Sequence, residues 1–391
     1  MKKIGILGLG KLGVCLTALF TKYYKVYGVD VLAERVKQIA DNVETFEPRV
    51  NEYLSKYKEN LTVSTDFDIL KDCEIVFLIT QTPSLSSGKF DIAYVKSALK
   101  KLHRVNPSCL AVISSTINIG DVDKLKGLHS RVAYNPEFVK QGSIMKDFEN
   151  PKFILIGSYT KEDGELIAEI WRQYLVDEPI YIVSPLEAEI TKLCLNVSYT
   201  LGISFANVVG EFCEKVGADV NKVLDVIYQD HRNYRKGLGF SGPCFPRDVN
   251  SFLSASLEKH VMSGVNLSKL LNLFNKEIVR VQLSKIRGHA KQIRTKGFVR
   301  IGILGVAYKS GVPYIYESQP IQIAKQLLKE GYQVFVYDKM AMEIAKSEIP
   351  EAYFCDSIEE CVGKSDILFI GLPDKDFTDV KTDKVVVNPW R

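Results

Sequence analysis

The stretch KIGILGLGKLG, residues 3–13, decides how the rest of the chain is read. An apolar run from Ile4 to Leu7 leads into Gly8-Leu9-Gly10-Lys11-Leu12-Gly13, a G-x-G-x-x-G pattern that opens a helix. The first glycine permits a tight turn and the second lets backbone approach a pyrophosphate. The third lets helix and strand pack closely, with the phosphate at the helix N-terminus. Alone, such a pattern is weak. Here Asp30 closes the next apolar run, KVYGVD, 20 residues after Gly10. A carboxylate there suits the ribose diol of NAD and repels the 2′-phosphate of NADP. Val31 follows it where an arginine would favour NADP, and Arg35, one turn on, is placed to stack on or pair near the adenosine.

Working outward, the first half alternates short apolar runs (KIGILG, KVYGVD, EIVFLIT, LAVISST, KFILIG) with segments of helical periodicity. Runs apolar on both faces, alternating with helices, predict a doubly wound parallel sheet. From Pro185 the texture changes, and Leu186 to Tyr228 reads as long helix broken near Gly217-Ala218-Asp219. Alternation resumes with VRIGILG near Val299, then GYQVFVYD and SDILFIGLP. The expectation is α/β: two Rossmann-like domains of parallel sheet, at 1–183 and 291–391, joined by a long central helix within 184–290.

Composition narrows the class. Hydrophobic residues make up 46% and charged residues 25%, which is globular, and the net charge of +4 comes with no basic block. Nucleic acid and anionic membrane are therefore not expected partners. No stretch approaches about 18 consecutive apolar residues, and the N-terminus has no signal-peptide pattern. The eight cysteines are scattered without a CxxC pair, so reduced thiols and a cytoplasmic setting are expected. The five histidines show no zinc spacing and no metal is expected.

Three segments carry chemistry. In GLGFSGPCFPRD, residues 237–248, Pro246 suits the first turn of a helix, which puts Cys244 near a helix N-terminus, where thiolate is favoured. Asp248 lies one turn on. By itself Cys244 reads equally well as a small buried residue. In EAEITKLCLN, residues 187–196, Lys192 and Asn196 stand i, i+4 on one helix face, a cation and an amide donor suited to an oxyanion. The third segment is NPEFVKQG, residues 135–142, together with Ser114-Ser115-Thr116 at a strand end. Both fall at the carboxyl edge of the first sheet, where open α/β folds bind ligands. Glu137 could activate a water and Thr116 hold one.

Taken in order, GLGKLG, TQTPS, SST, NPEFVKQG, EAEITKLCLN, SGPCFPRD and GVAYKSG resemble the UDP-glucose/GDP-mannose dehydrogenase family, closely over about residues 1–340. The resemblance implies oxidation of a sugar C6 alcohol to a carboxylate with two NAD consumed, through a cysteine thiohemiacetal and thioester. By position it makes Cys244 the nucleophile and gives oxyanion stabilisation to Lys192 and Asn196. It gives water positioning to Asp248 and Thr116, and thioester hydrolysis to Glu137. The NAD side would take in Gly8 to Gly13, Asp30, Arg35, Thr82, Pro83, Thr116, Gln141, Arg247 and Lys309. Glu137, Phe138, Val139 and Lys140, with Lys192, Asn196 and the loop Phe240-Ser241-Gly242, would hold the sugar. Arg232 resembles an arginine that reaches the sugar of a neighbouring subunit. The second α/β domain would hold the nucleotide of a UDP-sugar, and the central helix would form a homodimer.

The chain departs from the family pattern in four places. Gln141 stands where a second glutamate is common, and Arg247 replaces a usual lysine. Pro313-Tyr314 and Tyr316 replace an acidic pair and an arginine, and near the C-terminus only Arg391 offers itself as a nucleotide contact. NPEF with the basic Lys140 behind it favours the glucose branch. The alternatives are a UDP-N-acetylhexosamine dehydrogenase, a two-electron β-hydroxyacid dehydrogenase that has no use for Cys244, and an inactive nucleotide-sugar-binding homologue.

Overall fold

The computed structural model describes residues 1–43, 47, 49–140, 142–229, 234–293 and 299–391, with Phe212 described by its backbone only. The chain divides into two compact units, Met1–Cys194 and Leu195–Arg391.

The first unit is built on an eight-stranded sheet in the order β3-β2-β1-β4-β5-β6-β7-β8. Its strands are β1 (Lys3–Leu7), β2 (Lys25–Val29), β3 (Leu61–Ser64), β4 (Ile75–Leu78), β5 (Leu110–Ile113), β6 (Val132–Tyr134), β7 (Ile154–Gly157) and β8 (Ile180–Val183). The chain winds outward from β1 to β3, then returns to β4 on the other side. The carboxyl ends of β1 and β4 therefore flank a crevice. β1 pairs in parallel with both neighbours, Ile4 opposite Val26 and Ile75. One pairing departs from the expected parallel sheet: β6 and β7 meet antiparallel at Tyr134 and Gly157. Ile4, Ile6, Phe77 and Ile156 are fully buried. Each such side chain contributes about 1.5–3 kcal/mol relative to exposure.

The second unit has a five-stranded, all-parallel sheet in the order β11-β10-β9-β12-β13. These are β9 (Arg300–Leu304), β10 (Gln333–Tyr337), β11 (Tyr353–Phe354), β12 (Ile367–Ile370) and β13 (Val385–Val387). It repeats the start of the first sheet: Gly305 follows β9 at φ +90° as Gly8 follows β1 at φ +101°.

The helix Pro185–Val216 starts where Ser184 and Glu187 cap each other. Glu187 accepts the Ser184 N–H at 2.8 Å, Ser184 Oγ accepts the Glu187 N–H at 3.3 Å, and Pro185 takes the first position. Gly217 at φ +73° ends it, and Asp219 caps the next helix, Val220–Ile227, by accepting the Asn221 N–H at 2.9 Å. The predicted break is thus where the sequence placed it. A second helix of equal length, Met262–Ile293, packs beside Phe245–Glu258. Counted as consecutive apolar residues, Pro185–Val216 falls short of a membrane span. By mean hydropathy, 1.3 over its most apolar window, it is long and apolar enough for one. A single such helix is weak grounds for a membrane protein, since the core helix of a globular fold passes the same test.

Candidate active site

The three glycines of residues 8–13 have three different surroundings. A Cβ on Gly8 would lie 2.3 Å from the Ile79 carbonyl oxygen, and φ +101° already excludes most side chains. A Cβ on Gly13 would lie 1.8 Å from the Gly8 carbonyl oxygen, so the helix Lys11–Phe20 packs on the turn only without a side chain there. A Cβ on Gly10 would meet no protein atom within 4 Å. Gly10 is exposed at the N-cap of that helix, where orphan N–H groups face outward. The glycine the fold does not need is the one a pyrophosphate needs.

Asp30 accepts the Leu9 N–H at 2.8 Å through Oδ2 and the Leu32 N–H at 2.9 Å through Oδ1, which fixes the carboxylate against the turn. Each oxygen keeps a lone pair for a ribose hydroxyl. Arg35, expected beside the adenosine, is 8% exposed and donates from Nε to the Leu9 carbonyl at 2.7 Å. It braces the turn from beneath. Residues 8–13 and Asp30 together fit a dinucleotide.

Beyond β4 and β5 the edge loops are stitched together. Thr82 Oγ1 donates to the Thr116 carbonyl at 2.7 Å. Ser115 Oγ accepts the Thr80 N–H at 2.9 Å and donates to its carbonyl at 2.8 Å. After β6, Asn135 donates to the Leu155 carbonyl at 2.8 Å and accepts from Trp171 Nε1 at 2.9 Å, locking the start of NPEF. Glu137 follows, and its Oε1 is buried with no hydrogen-bond partner among the described residues. Burial pushes this carboxyl up to about 8, and the Lys192 ammonium offsets only part of that. Lys192 Nζ donates to the Glu137 carbonyl and lies 4.6 Å from the centre of the Phe138 ring. A protonated acid and an ammonium thus lie side by side.

In the second unit Cys244 is the N-cap of the helix Phe245–Glu258, with Pro246 in the first turn and the residue exposed. Asp248 is 1% exposed, and its N–H donates to the Cys244 carbonyl at 2.8 Å. Its Oδ2 accepts from Asn196 Nδ2 at 2.5 Å, and Oδ1 stands 3.5 Å from Arg247 Nε.

The loop before the thiol is held from several sides. Gly239 N–H donates to Gln319 Oε1 at 2.8 Å, and Gln319 Nε2 donates in turn to Asn275 Oδ1 at 3.0 Å. Asn275 Nδ2 donates to the Phe240 carbonyl at 2.9 Å, and Ser241 Oγ donates to the Tyr308 carbonyl at 3.2 Å. Gly242, at φ +87°, donates its N–H to the Tyr316 carbonyl at 2.8 Å, and a Cβ on it would lie 2.6 Å from the Tyr308 ring.

Comparison with known proteins gives this geometry a home. Three consecutive domains of the UDP-glucose/GDP-mannose dehydrogenase family match the chain: the NAD binding domain over residues 2–175, the central domain over 186–277 and the UDP binding domain over 302–389. A UDP-glucose 6-dehydrogenase of Rickettsia bellii is 30% identical over 342 residues, covering 83% of this chain and 78% of that one. The chain belongs to the UDP-glucose/GDP-mannose dehydrogenase family. A GDP-mannose 6-dehydrogenase of Pseudomonas aeruginosa is 28% identical over 419 residues, 97% of this chain and 93% of its own. Among solved structures, a UDP-glucose dehydrogenase of Pyrobaculum islandicum superposes with a TM-score of 0.90 at 26% identity, covering 100% of this chain and 94% of that one.

Family membership makes NAD the cofactor and places the chain among nucleotide-sugar 6-dehydrogenases. Of the positions carried over from the family pattern, Gln141 and Arg232 lie outside the described residues. Arg391, the candidate nucleotide contact, donates to the Thr378 carbonyl and to Asp379 Oδ1 at 3.0 Å. Lys309 holds its ammonium 5.8 Å from the centre of the Tyr308 ring. The departures at 313–316 acquire a structural role: Tyr314 stacks on Tyr316 at 5.7 Å, Tyr308 N–H donates to the Tyr314 carbonyl at 2.9 Å, and Tyr316 holds Gly242. Sequence reasoning missed Gln319, Asn275 and Tyr308 as supports of the cysteine loop. They lie too far along the chain from it to leave a local pattern.

Proposed function

We propose that the chain is a UDP-glucose 6-dehydrogenase, oxidising the sugar C6 alcohol to UDP-glucuronate through a thiohemiacetal and thioester on Cys244. The observation that carries the sugar assignment is the TM-score of 0.90 to the Pyrobaculum islandicum UDP-glucose dehydrogenase. The Rickettsia bellii UDP-glucose 6-dehydrogenase, 30% identical over 83% of this chain, supports the same sugar.

Residues 8–13 and Asp30 would hold NAD, which when bound would supply the hydride acceptor for each of the two oxidations. The residues of the chain handle the protons and the covalent bond. Asp248 and Thr116 position the water that takes the alcohol proton. The resulting aldehyde has no hydride to give until a nucleophile makes its carbon tetrahedral. The Cys244 thiolate forms that C–S bond, Lys192 and Asn196 stabilise the alkoxide, and loss of the second hydride leaves a thioester. Glu137, once ionised, takes a proton from the water that cleaves the thioester, returning the thiol and releasing the carboxylate.

In this reading residues 1–183 bind NAD, 291–391 hold the nucleotide and 184–290 form a homodimer. Leu201, Phe205 and Val208, spaced along one face of Pro185–Val216 and 45%, 48% and 47% exposed, supply an apolar stripe for that dimer. The cytoplasm, where eight scattered cysteines stay reduced, is the compartment that suits it.

Steady-state oxidation of UDP-glucose, GDP-mannose and UDP-N-acetylhexosamines tests the assignment. UDP-glucose should have the highest kcat/KM. The identity to the GDP-mannose enzyme over 97% of the chain favours GDP-mannose as the second reading, and turnover of that sugar with UDP-glucose inert would establish it.

A further inference from the structure

We propose that Glu189 is a positioning residue, whose carboxylate locks the loop after Thr116 to the helical turn that carries Lys192. The inference rests on the oxidation proposed above, in which both residues act. Glu189 is 2% exposed and leaves the helix Pro185–Val216 three residues before Lys192. Its Oε2 accepts the Gly120 N–H at 2.6 Å and its Oε1 accepts the Val122 N–H at 2.8 Å. Gly120, at φ +84°, is the N-cap of the short helix Asp121–Leu125, so the carboxylate caps amides that this helix leaves without partners.

The clamp has reach on both sides. The loop it holds runs back through Asn118, whose side chain accepts the Phe90 N–H at 2.8 Å and donates to the Phe90 carbonyl at 2.9 Å. That brings the segment after β4 into the same rigid unit as Thr116. Asp121, 3% exposed, tightens the turn by accepting the Asn118 N–H at 3.0 Å and pairs with Lys124 at 3.0 Å. On the other side Lys192 reaches the Glu137 carbonyl. Three loops at the carboxyl edge of the first sheet are therefore referenced to one stretch of helix.

Packing alone does not account for a carboxylate here. Taking an ionised group out of water is costly, and burial raises the Glu189 carboxyl to about 7 despite its two amide donors. An apolar side chain would fill the space more cheaply. The ion provides a bidentate, directional link between two backbones, which fixes distance and angle.

Glu189→Gln tests the role. The amide keeps the volume but supplies one acceptor where two N–H donors converge, so one contact must open. Turnover of the nucleotide sugar and hydrogen exchange of the peptide spanning 117–125 are measured on wild type and variant. We expect kcat to fall on the order of 100-fold with KM for NAD little changed, since misplacement of reacting groups acts on kcat. Exchange in the peptide should quicken. An active wild type whose variant turns over normally, or whose peptide exchanges as before, overturns the positioning role alone. A wild type that oxidises no nucleotide sugar overturns the proposed function, and this role with it.

Discussion

Asn196 Nδ2 donates to Asp248 Oδ2 at 2.5 Å, joining the long helix Pro185–Val216 to the first turn of the helix that Cys244 caps. The amide expected mainly as an oxyanion donor also serves as the main neutral partner of a buried carboxylate. Asp248 is 1% exposed, and without Asn196 the counter-charge left beside it is Arg247, 3.5 Å away.

Asn196→Ala should therefore destabilise the protein by about 1–3 kcal/mol, the cost of a buried acceptor left unpaired. In urea titrations the Asn196→Ala/Asp248→Ala double variant should lose less than the two single losses added, because the pair is coupled. Strict additivity would mean that the contact contributes nothing.

Gly10→Ala and Gly13→Ala should fail in opposite ways. Gly10 has open space where a Cβ would stand, so the alanine variant should melt like wild type yet bind NAD weakly by calorimetry. Gly13→Ala forces a methyl to 1.8 Å from the Gly8 carbonyl and should cost about 1–3 kcal/mol of stability or more. Equal NAD affinity in Gly10→Ala and wild type would rule out the pyrophosphate at that turn.

Much of this was legible because it is local. The glycine turn, Asp30, the start of the long helix and its break at Gly217 are each written within a few residues, as strand, turn and cap chemistry. β3, β8, β11 and β13, at sheet edges, lie outside the apolar runs of the sequence reading, and so does the interior β6. β3 (LTVS) is half-exposed and polar, and β11 has only two residues, so neither carries an apolar run. The antiparallel pairing of β6 with β7 has no period of its own. The site was legible as residue types but not as bonds: Arg35 Nε donates to the Leu9 carbonyl of the turn, and the cysteine loop is held by Asn275, Tyr308, Tyr316 and Gln319.

Glu137 gives the protein a definite pH dependence. The unfolded chain ionises this group near 4.5, whereas the folded protein keeps it protonated to about 8. The folded state therefore binds more protons between those values. The contribution to stability is full below about 4.5 and is lost as pH rises to about 8. Glu137→Gln should flatten that part of the stability profile in thermal melts from pH 5 to 8.5. As a base the group works only when ionised, so thioester hydrolysis should rise through about pH 8, and the glutamine variant should lack that limb. A wild-type rate that is flat from pH 6 to 9 would remove Glu137 from the hydrolytic step.

The stripe Leu201, Phe205 and Val208 predicts self-association through Pro185–Val216. Light scattering should give twice the 44.0 kDa chain mass, and Phe205→Glu should halve it while leaving far-UV circular dichroism unchanged. A monomeric wild type would remove the dimer from the account.

The thiol chemistry of Cys244 is the centre of the account, and counting NADH formed per nucleotide sugar consumed reads it most directly. With sugar limiting and NAD in excess, the wild type should form two NADH per sugar, and Cys244→Ser should not complete the second oxidation. One NADH per sugar from the wild type, or an undiminished count of two from Cys244→Ser, would contradict it.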